Sequence, residues 1–414
     1  MRALWPPVQG FGGHADKFST VLIPVPDPGG NIALSLWPVR TKNSLNTLST
    51  RPATSADIDT LLDIEQQCFS GDKLSRRSFQ RLIKHGHASL LMAFSDDEIA
   101  GYTLVLYRKG THLARLYSLA VLPQMRGRGI ARQLLQDAEK TAREQLCIFM
   151  RLEVNVGNQS AIALYRQSGY QPIGTIEAYY EDGSSAQKME KPIRRRVPNG
   201  EQIRTAFYEQ TTPFTCGPAS LMMGMHALIP EYAMSRREEL QIWRESTTIF
   251  MTAGHGGCSP QGLALSAWRR GFDVRLYCNT TQVPFIDSVR NPEKKQVIAL
   301  AHEDFIEQLT ETGVEIHERE MTLAQLQQHI QNGDVLISLI STWRLNRNKA
   351  PHWIIITAAD ERFVYLTDPD HDRDEWQSQT DYIDVPVEVN EFLAMAAFGR
   401  SRLKSTLALS RRKT

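Results

Sequence analysis

Cys216 stands directly before a helix-like run, in Thr215-Cys216-Gly217-Pro218, where Pro218 falls in a first turn that accepts proline. A thiol at a helix N-terminus feels the positive end of the dipole, which favours the thiolate and makes it a nucleophile. Such a nucleophile needs a base, and the base needs an orienting partner. His352 opens the strand-like stretch 353–358, and Asp368 follows the strand-like stretch 363–366. A hairpin of those strands would set the two side by side. A second chemistry lies in Arg126-Gly127-Arg128-Gly129-Ile130-Ala131, where a strand ending near Val121 passes through a glycine loop into a helix. Glycine lets backbone N–H groups approach a ligand, and the helix start offers unpaired donors to an anion. Many α/β proteins carry such a turn, so the turn alone does not identify the anion.

These residues need elements to hold them. Apolar positions Ile58, Leu61, Leu62 and Ile64 predict a helix that Thr54 or Ser55 would cap. A helix over 78–84 follows, then strands over 89–94, 99–107 and 114–122, with Asp96-Asp97 as a hairpin turn. Next come a helix over 130–145 with Leu134, Leu135 and Ala138 on one face, a strand over 148–154, and a helix over 160–168 closed by Gly169. Further on, the pattern predicts strands over 203–208, 272–277, 335–339, 353–358 and 363–366, and helices over 218–228 and 262–270. At 414 residues two domains are expected. Residues 1–48, punctuated by Pro and Gly with no lasting helical or strand period, read as a poorly ordered extension. The stretch 194–204 reads as a linker between domains over 49–193 and 205–400, and 401–414 as a basic, frayed tail. The Arg194-Arg195-Arg196 run is read as solvated linker, not as a nucleic-acid patch.

The run from Arg126 to Ala131 resembles the pyrophosphate loop of the GNAT N-acetyltransferases, Gln/Arg-x-x-Gly-x-Gly/Ala. Downstream, Leu152-Glu153-Val154, then Asn158, then Ala161-x-x-Leu164-Tyr165 and Gly169-Tyr170 are similar to the subfamily that acetylates the N-terminal alanine of a ribosomal protein; Tyr170 replaces the usual Phe. The resemblance implies acetyl-CoA as cosubstrate. The amides of Gly127, Arg128, Gly129, Ile130, Ala131 and Arg132 would hold its pyrophosphate, Leu119, Ala120 and Val121 would present strand backbone to its arm, and Asn158 would hydrogen-bond that arm. An amine must lose a proton to attack a thioester, for which Glu153 is the candidate base, and the departing thiolate is best protonated, for which Tyr165 is the candidate acid. The plainer readings are a strand-end salt bridge for Glu153 and a core position for Tyr165. A peptide or protein N-terminal amine is the acceptor the resemblance suggests.

The order Gln210, Cys216, His352, Asp368 resembles the peptidase C39-like family of papain-like cysteine peptidases. By that resemblance Gln210 donates its side-chain amide to the oxyanion. The expected fold class is thus α/β (α+β): a GNAT fold with a mixed central sheet flanked by helices, then a papain-like C39 fold. The expected function is a bifunctional enzyme that acetylates an amine and cleaves a peptide. The alternative is an acetyltransferase whose C39-like domain only binds peptide. A shared substrate would rationalise the fusion, since proteolysis exposes a new α-amine.

Bulk properties narrow the partners. Lys plus Arg is 47 and Asp plus Glu 46, for a net charge of +1, which gives no hint of nucleic acid or a membrane surface. No apolar run approaches a membrane span. Five cysteines without a CxxC pair suggest a reducing compartment, and together with the lack of a signal-peptide pattern they place the protein in the cytoplasm. Cys258 and Cys278 are read as buried thiols, and His85, His87 and His112 as surface or structural. His255 and Cys258 have the spacing of two metal ligands but no second pair, and Asp368 to Asp372 reads as loop, so no metal is expected. The oligomeric state is left open.

Overall fold

A computed structural model describes residues 19–26, 32–39, 48–84, 87–194, 202–248, 256–346, 350–371 and 377–412. Contacts gather the chain into two compact units. The first comprises Met1–Val105, Leu116–Thr141 and Leu152–Met189; the second comprises Leu106–Arg115, Ala142–Arg151 and Glu190–Thr414. Two short segments that precede the expected linker therefore pack with the second unit. The reason is apolar: Leu113, Ile148 and Phe149 share a buried cluster with Ala358, Phe363 and Tyr365.

Strands β1 (Ser19–Pro26) and β2 (Ile32–Val39) pair antiparallel, from Ser19↔Val39 to Pro26↔Ile32. No strand was expected there, because the prolines interrupt the pattern. A two-stranded ribbon tolerates them, since each strand has an edge where a missing N–H costs no ladder bond.

The next sheet contains β3 (Leu48–Pro52), β4 (Ala88–Ser95), β5 (Glu98–Tyr107), β6 (Leu113–Val121), β7 (Phe149–Asn155), β8 (Gln171–Ile176) and β9 (Ala186–Pro192), in the order β3-β4-β5-β6-β7-β9-β8. It is mixed: β3 and β4 run antiparallel, β6 and β7 parallel. Helices α1 (Ile58–Cys68), α2 (Arg76–Lys84), α3 (Ile130–Glu144) and α4 (Gln159–Gln167) accompany it. The expected hairpin turn forms at Asp96 and Asp97, whose φ values of 53° and 65° suit short polar side chains. The expected face of α3 is buried through Leu134, Leu135 and Ala138.

The second seven-stranded sheet runs β11-β10-β16-β12-β13-β14-β15. Its strands are β10 (Phe272–Cys278), β11 (Glu315–His317), β12 (Val335–Ser341), β13 (Pro351–Ala359), β14 (Phe363–Thr367), β15 (Val385–Glu388) and β16 (Ser405–Arg411). Along β12, alternate residues feed two cores: Val335, Ile337 and Leu339 on one face, Leu336 and Ile340 on the other. The first core receives α5 (Cys216–Leu228), buried at every residue from Cys216 to Met225, together with residues of α6 (Arg236–Ser246) and α7 (Pro260–Arg269). Two expectations change here. The stretch 203–208 is not a strand; its backbone and hydroxyl groups turn to α5, with Tyr208 N reaching Met223 Sδ and Thr205 Oγ1 donating to Met223 O. The supposed frayed tail contains β16, an interior strand paired with both β10 and β12, because its alternating leucines fill the core while the neighbouring arginines masked that pattern. No helix among the described residues is long and apolar enough to cross a membrane.

Candidate functional sites

In the first unit, β6 ends at Val121, a turn over Pro123–Met125 follows, and the loop through Arg126 leads into α3. Gly127 and Gly129 take φ of 76° and 81°, and a Cβ on either would meet nothing within 4 Å. Glycine is thus required by the backbone, while the space over it stays open. That space is a cavity of about 460 Å³ walled by the loop, the first turn of α3 and one face of α4. Arg126 Nε bonds Val121 O at 3.3 Å and Arg132 Nη2 bonds Gln167 Oε1 at 3.1 Å, fixing the rim. The first turn of α3 has no acidic residue, so its amide end is set for an anion. Backbone donors, open glycines and flanking arginines fit the pyrophosphate of a nucleotide-bearing cofactor.

Of the residues expected to hold that cofactor, Val121, Gly127, Gly129, Ile130, Ala131 and Arg132 line the cavity. Leu119, Ala120 and Arg128 are not in its wall. Asn158 is the N-cap of α4, its Oδ1 accepting from Ala161 N at 3.1 Å. Glu153 on β7 and Tyr165 on α4 are buried. Tyr165 meets Tyr170 edge-on, ring centres 5.8 Å apart, and burial pushes its phenol well above the ordinary tyrosine value. Tyr180 was not foreseen. Burial, then Tyr179, Glu153 and Tyr165, push its phenol up, so it shares their surroundings. The only sequence signal for it was the Tyr179-Tyr180 pair ahead of Asp182-Gly183.

In the second unit, Cys216 is the first residue of α5. Thr215 at the N-cap does not cap the helix; its Oγ1 bonds the Thr212 backbone instead. Ser220 Oγ donates to Trp353 O at 3.0 Å and Trp353 Nε1 donates to Cys258 O at 3.2 Å, tying α5 to β13. His352 therefore comes close to Cys216, whose thiol helps to raise the imidazole. On its other side, His352 Nε2 lies 2.6 Å from Asp368 Oδ1, which also accepts from Asp370 N at 3.0 Å. Burial disfavours charge on His352, but Asp368 and Cys216 outweigh it and hold the imidazole well above its usual value. Burial likewise opposes charge on Asp368, yet His352, Arg108 and the Asp370 amide bring it down to about 2.

Gln210 reaches the same loop: its Nε2 donates to Asp370 Oδ1 at 2.8 Å and its backbone N to Pro369 O at 3.0 Å. Sequence reasoning missed Glu239 of α6, fully buried, which accepts from Thr211 N at 2.7 Å and Tyr208 Oη at 3.0 Å and so anchors the segment around Gln210. Burial pushes the Cys258 and Cys278 thiols up, Cys258 further through Cys216 beside it. His112 is structural, its Nδ1 paired with Leu146 O at 2.9 Å, and His87 is exposed. His85 and His255 lie outside the described residues. Among the described residues no group of three His, Cys, Asp or Glu could hold a metal.

Residues 58–170 match the acetyltransferase (GNAT) family, and residues 205–410 match a peptidase C39-like family. The chain is 32% identical over 142 residues to the N-alpha-acetyltransferase RimI of Mycobacterium tuberculosis, spanning 33% of this chain and 88% of that protein. The chain belongs to the GNAT acetyltransferase family. Within it, this chain is similar to a putative ribosomal protein bS18-alanine N-acetyltransferase of Bacillus subtilis, at 29% identity over 30% of this chain and 82% of that protein. The crystal structure of the ribosomal-protein-S18-alanine N-acetyltransferase of Escherichia coli aligns at 22% identity and a TM-score of 0.34, over 37% of this chain and 98% of that one. The protein is a GNAT-type N-acetyltransferase, a family that uses acetyl-CoA.

Proposed function

We propose that the first unit acetylates the α-amine of a peptide or protein and that the second is a cysteine peptidase. The open glycine cradle before α3 carries the first half, and acetyl-CoA seated there supplies the activated acetyl group. Glu153 takes the proton from the amine, directly or through water, and Tyr165, kept protonated by burial, gives one at the leaving sulfur. The Cys216–His352–Asp368 chain carries the second half. Cys216 Sγ attacks the peptide carbonyl, His352 protonates the leaving amine, and Asp368 holds the imidazole. Water then releases the acyl group, with His352 as base. Gln210 has a second amide hydrogen for the oxyanion.

A second reading, peptide binding without cleavage, draws on Gln210, one of whose amide hydrogens is already taken by Asp370. One experiment separates the two: short peptides with free N-termini, with and without acetyl-CoA, incubated with wild type, Cys216→Ala and Tyr165→Phe and read by mass spectrometry. Truncation that vanishes with Cys216→Ala is expected, as is acetylation reduced by Tyr165→Phe. Acetylation with no truncation in any sample would favour binding alone.

A further inference from the structure

The carboxylate of Asp368 has two oxygens and both are engaged. Oδ1 serves His352 and the Asp370 amide. Oδ2 faces Arg108, whose Nη2 lies 3.2 Å away. Arg108 belongs to Leu106–Arg115, a segment of the second unit. Its guanidinium is fixed on three sides: by Asp368, by Asp381 O 2.5 Å from Nη1, and by the Tyr382 ring 4.0 Å beneath its carbon. Tyr382 O in turn accepts from Asp368 N at 2.8 Å, so the same short loop is gripped from both ends. Arg115 pairs with Asp381, and Arg151 donates to Thr380 O at 2.8 Å and Asp384 O at 3.1 Å, so three arginines hold that loop. The side chains of Asp368 and Arg108 are 4% and 17% exposed, so water is a poor substitute for either partner.

We propose that Arg108 is a positioning residue of the Cys216 site, fixing the Asp368 carboxylate in the rotation that serves His352. This rests on the peptidase reading of that site. A planar fork suits the task, because it can hold a carboxylate oxygen and a carbonyl at once where an ammonium cannot hold both in one plane. The charged groups facing Asp368 are His352 from β13, Arg108 from the residue just past β5 and Asp370 from its own loop, with Asp381 and its partner Arg115 beyond Arg108. Arg108 thus acts twice: it orients Asp368 and keeps it ionised in acid.

The test needs no natural substrate. Iodoacetamide alkylation of Cys216 in the full chain is followed by mass spectrometry of the Cys216 peptide across pH. Wild type should stay reactive into acid, until Asp368 takes up a proton. Arg108→Gln should move the acid limb up by about one pH unit, the lower end of what removing an adjacent opposite charge does, and so slow alkylation about tenfold on that limb. Arg108→Lys should restore the limb and part of the rate. A purely structural Arg108 would lower the melting temperature and leave the limb in place, which overturns the proposal, as does a Gln profile that superposes on wild type. Should Arg108→Gln not fold, Tyr382→Leu decides: it loosens the guanidinium and keeps the charge, so a two- to threefold slower rate on an unmoved limb supports the proposal and an unchanged rate overturns it. Wild-type Cys216 that reacts no faster than a free thiol and shows no acid limb defeats the peptidase reading itself, and this proposal with it.

Discussion

In the proposed acetyl-CoA cradle, Gly129 would contribute only its backbone. With φ at 81° and open space above it, Gly129→Ala should strain the turn by about 1–2 kcal/mol and place a methyl where the ligand approaches. Calorimetric titration should show acetyl-CoA binding weakened about tenfold or more, with the peptidase-like site unaffected. At the other site, charge sets the pH range. The folded-state value of Asp368 is depressed, so its stabilisation is present above the ordinary carboxylate range and disappears as pH falls toward about 2. His352 is raised, so its share is full below the ordinary histidine value and fades as pH climbs through the raised one. Thermal melts should therefore show the second unit losing stability on the alkaline side of neutrality, and His352→Gln should flatten that slope. Much of both sites was legible from residue type and order: Cys216, His352 and Asp368 meet, and six of the expected cofactor residues line one cavity. Arg108, Glu239 and Tyr180 were not, because each acts across a distance in the fold that no local spacing encodes.

At the level of elements, Asn158 shows how one residue admits two roles. Its Oδ1 caps α4. Asn158→Ala should cost the first unit about 1 kcal/mol, the usual worth of a cap, measured by denaturant melts. If capping is its whole role, the KM for acetyl-CoA will not move; a rise beyond the stability loss would restore it to the cofactor site. Gly101 is a second such point. A Cβ there would stand 2.1 Å from Ala120 O, so β5 and β6 approach too closely for any side chain. Gly101→Ala should push back the strand end that leads to the cradle, lowering both the melting temperature and acetyl transfer. Helices and strands with clear periodicity, such as α3, β5 and β13, were read to within a few residues. The stretch 203–208 and β16 were misread for opposite reasons: one is apolar because it lies along α5, the other is a core strand whose basic neighbours hid its alternation.

At the level of the whole molecule, the second unit is not a simple C-terminal piece. Leu113, Ile148 and Phe149 cover Ala358, Phe363 and Tyr365, and Arg108 stands behind Asp368. A fragment spanning 201–414 would lose all four of those residues. It should aggregate or melt well below the full chain in size-exclusion and near-ultraviolet measurements; a monomeric fragment with native Cys216 alkylation would contradict the assignment of those segments. The order of β10, β16 and β12 also bears on how the protein is made. Translation delivers β10 and β12 long before Ser405–Arg411, the strand that joins them. Until that strand leaves the ribosome, two strand edges in the middle of the nascent sheet stand open to any passing chain. The core that Cys216 shares with Leu407 and Leu409 of that strand therefore closes only at the end of synthesis, and a chaperone that shields unpaired edges is the helper this topology calls for.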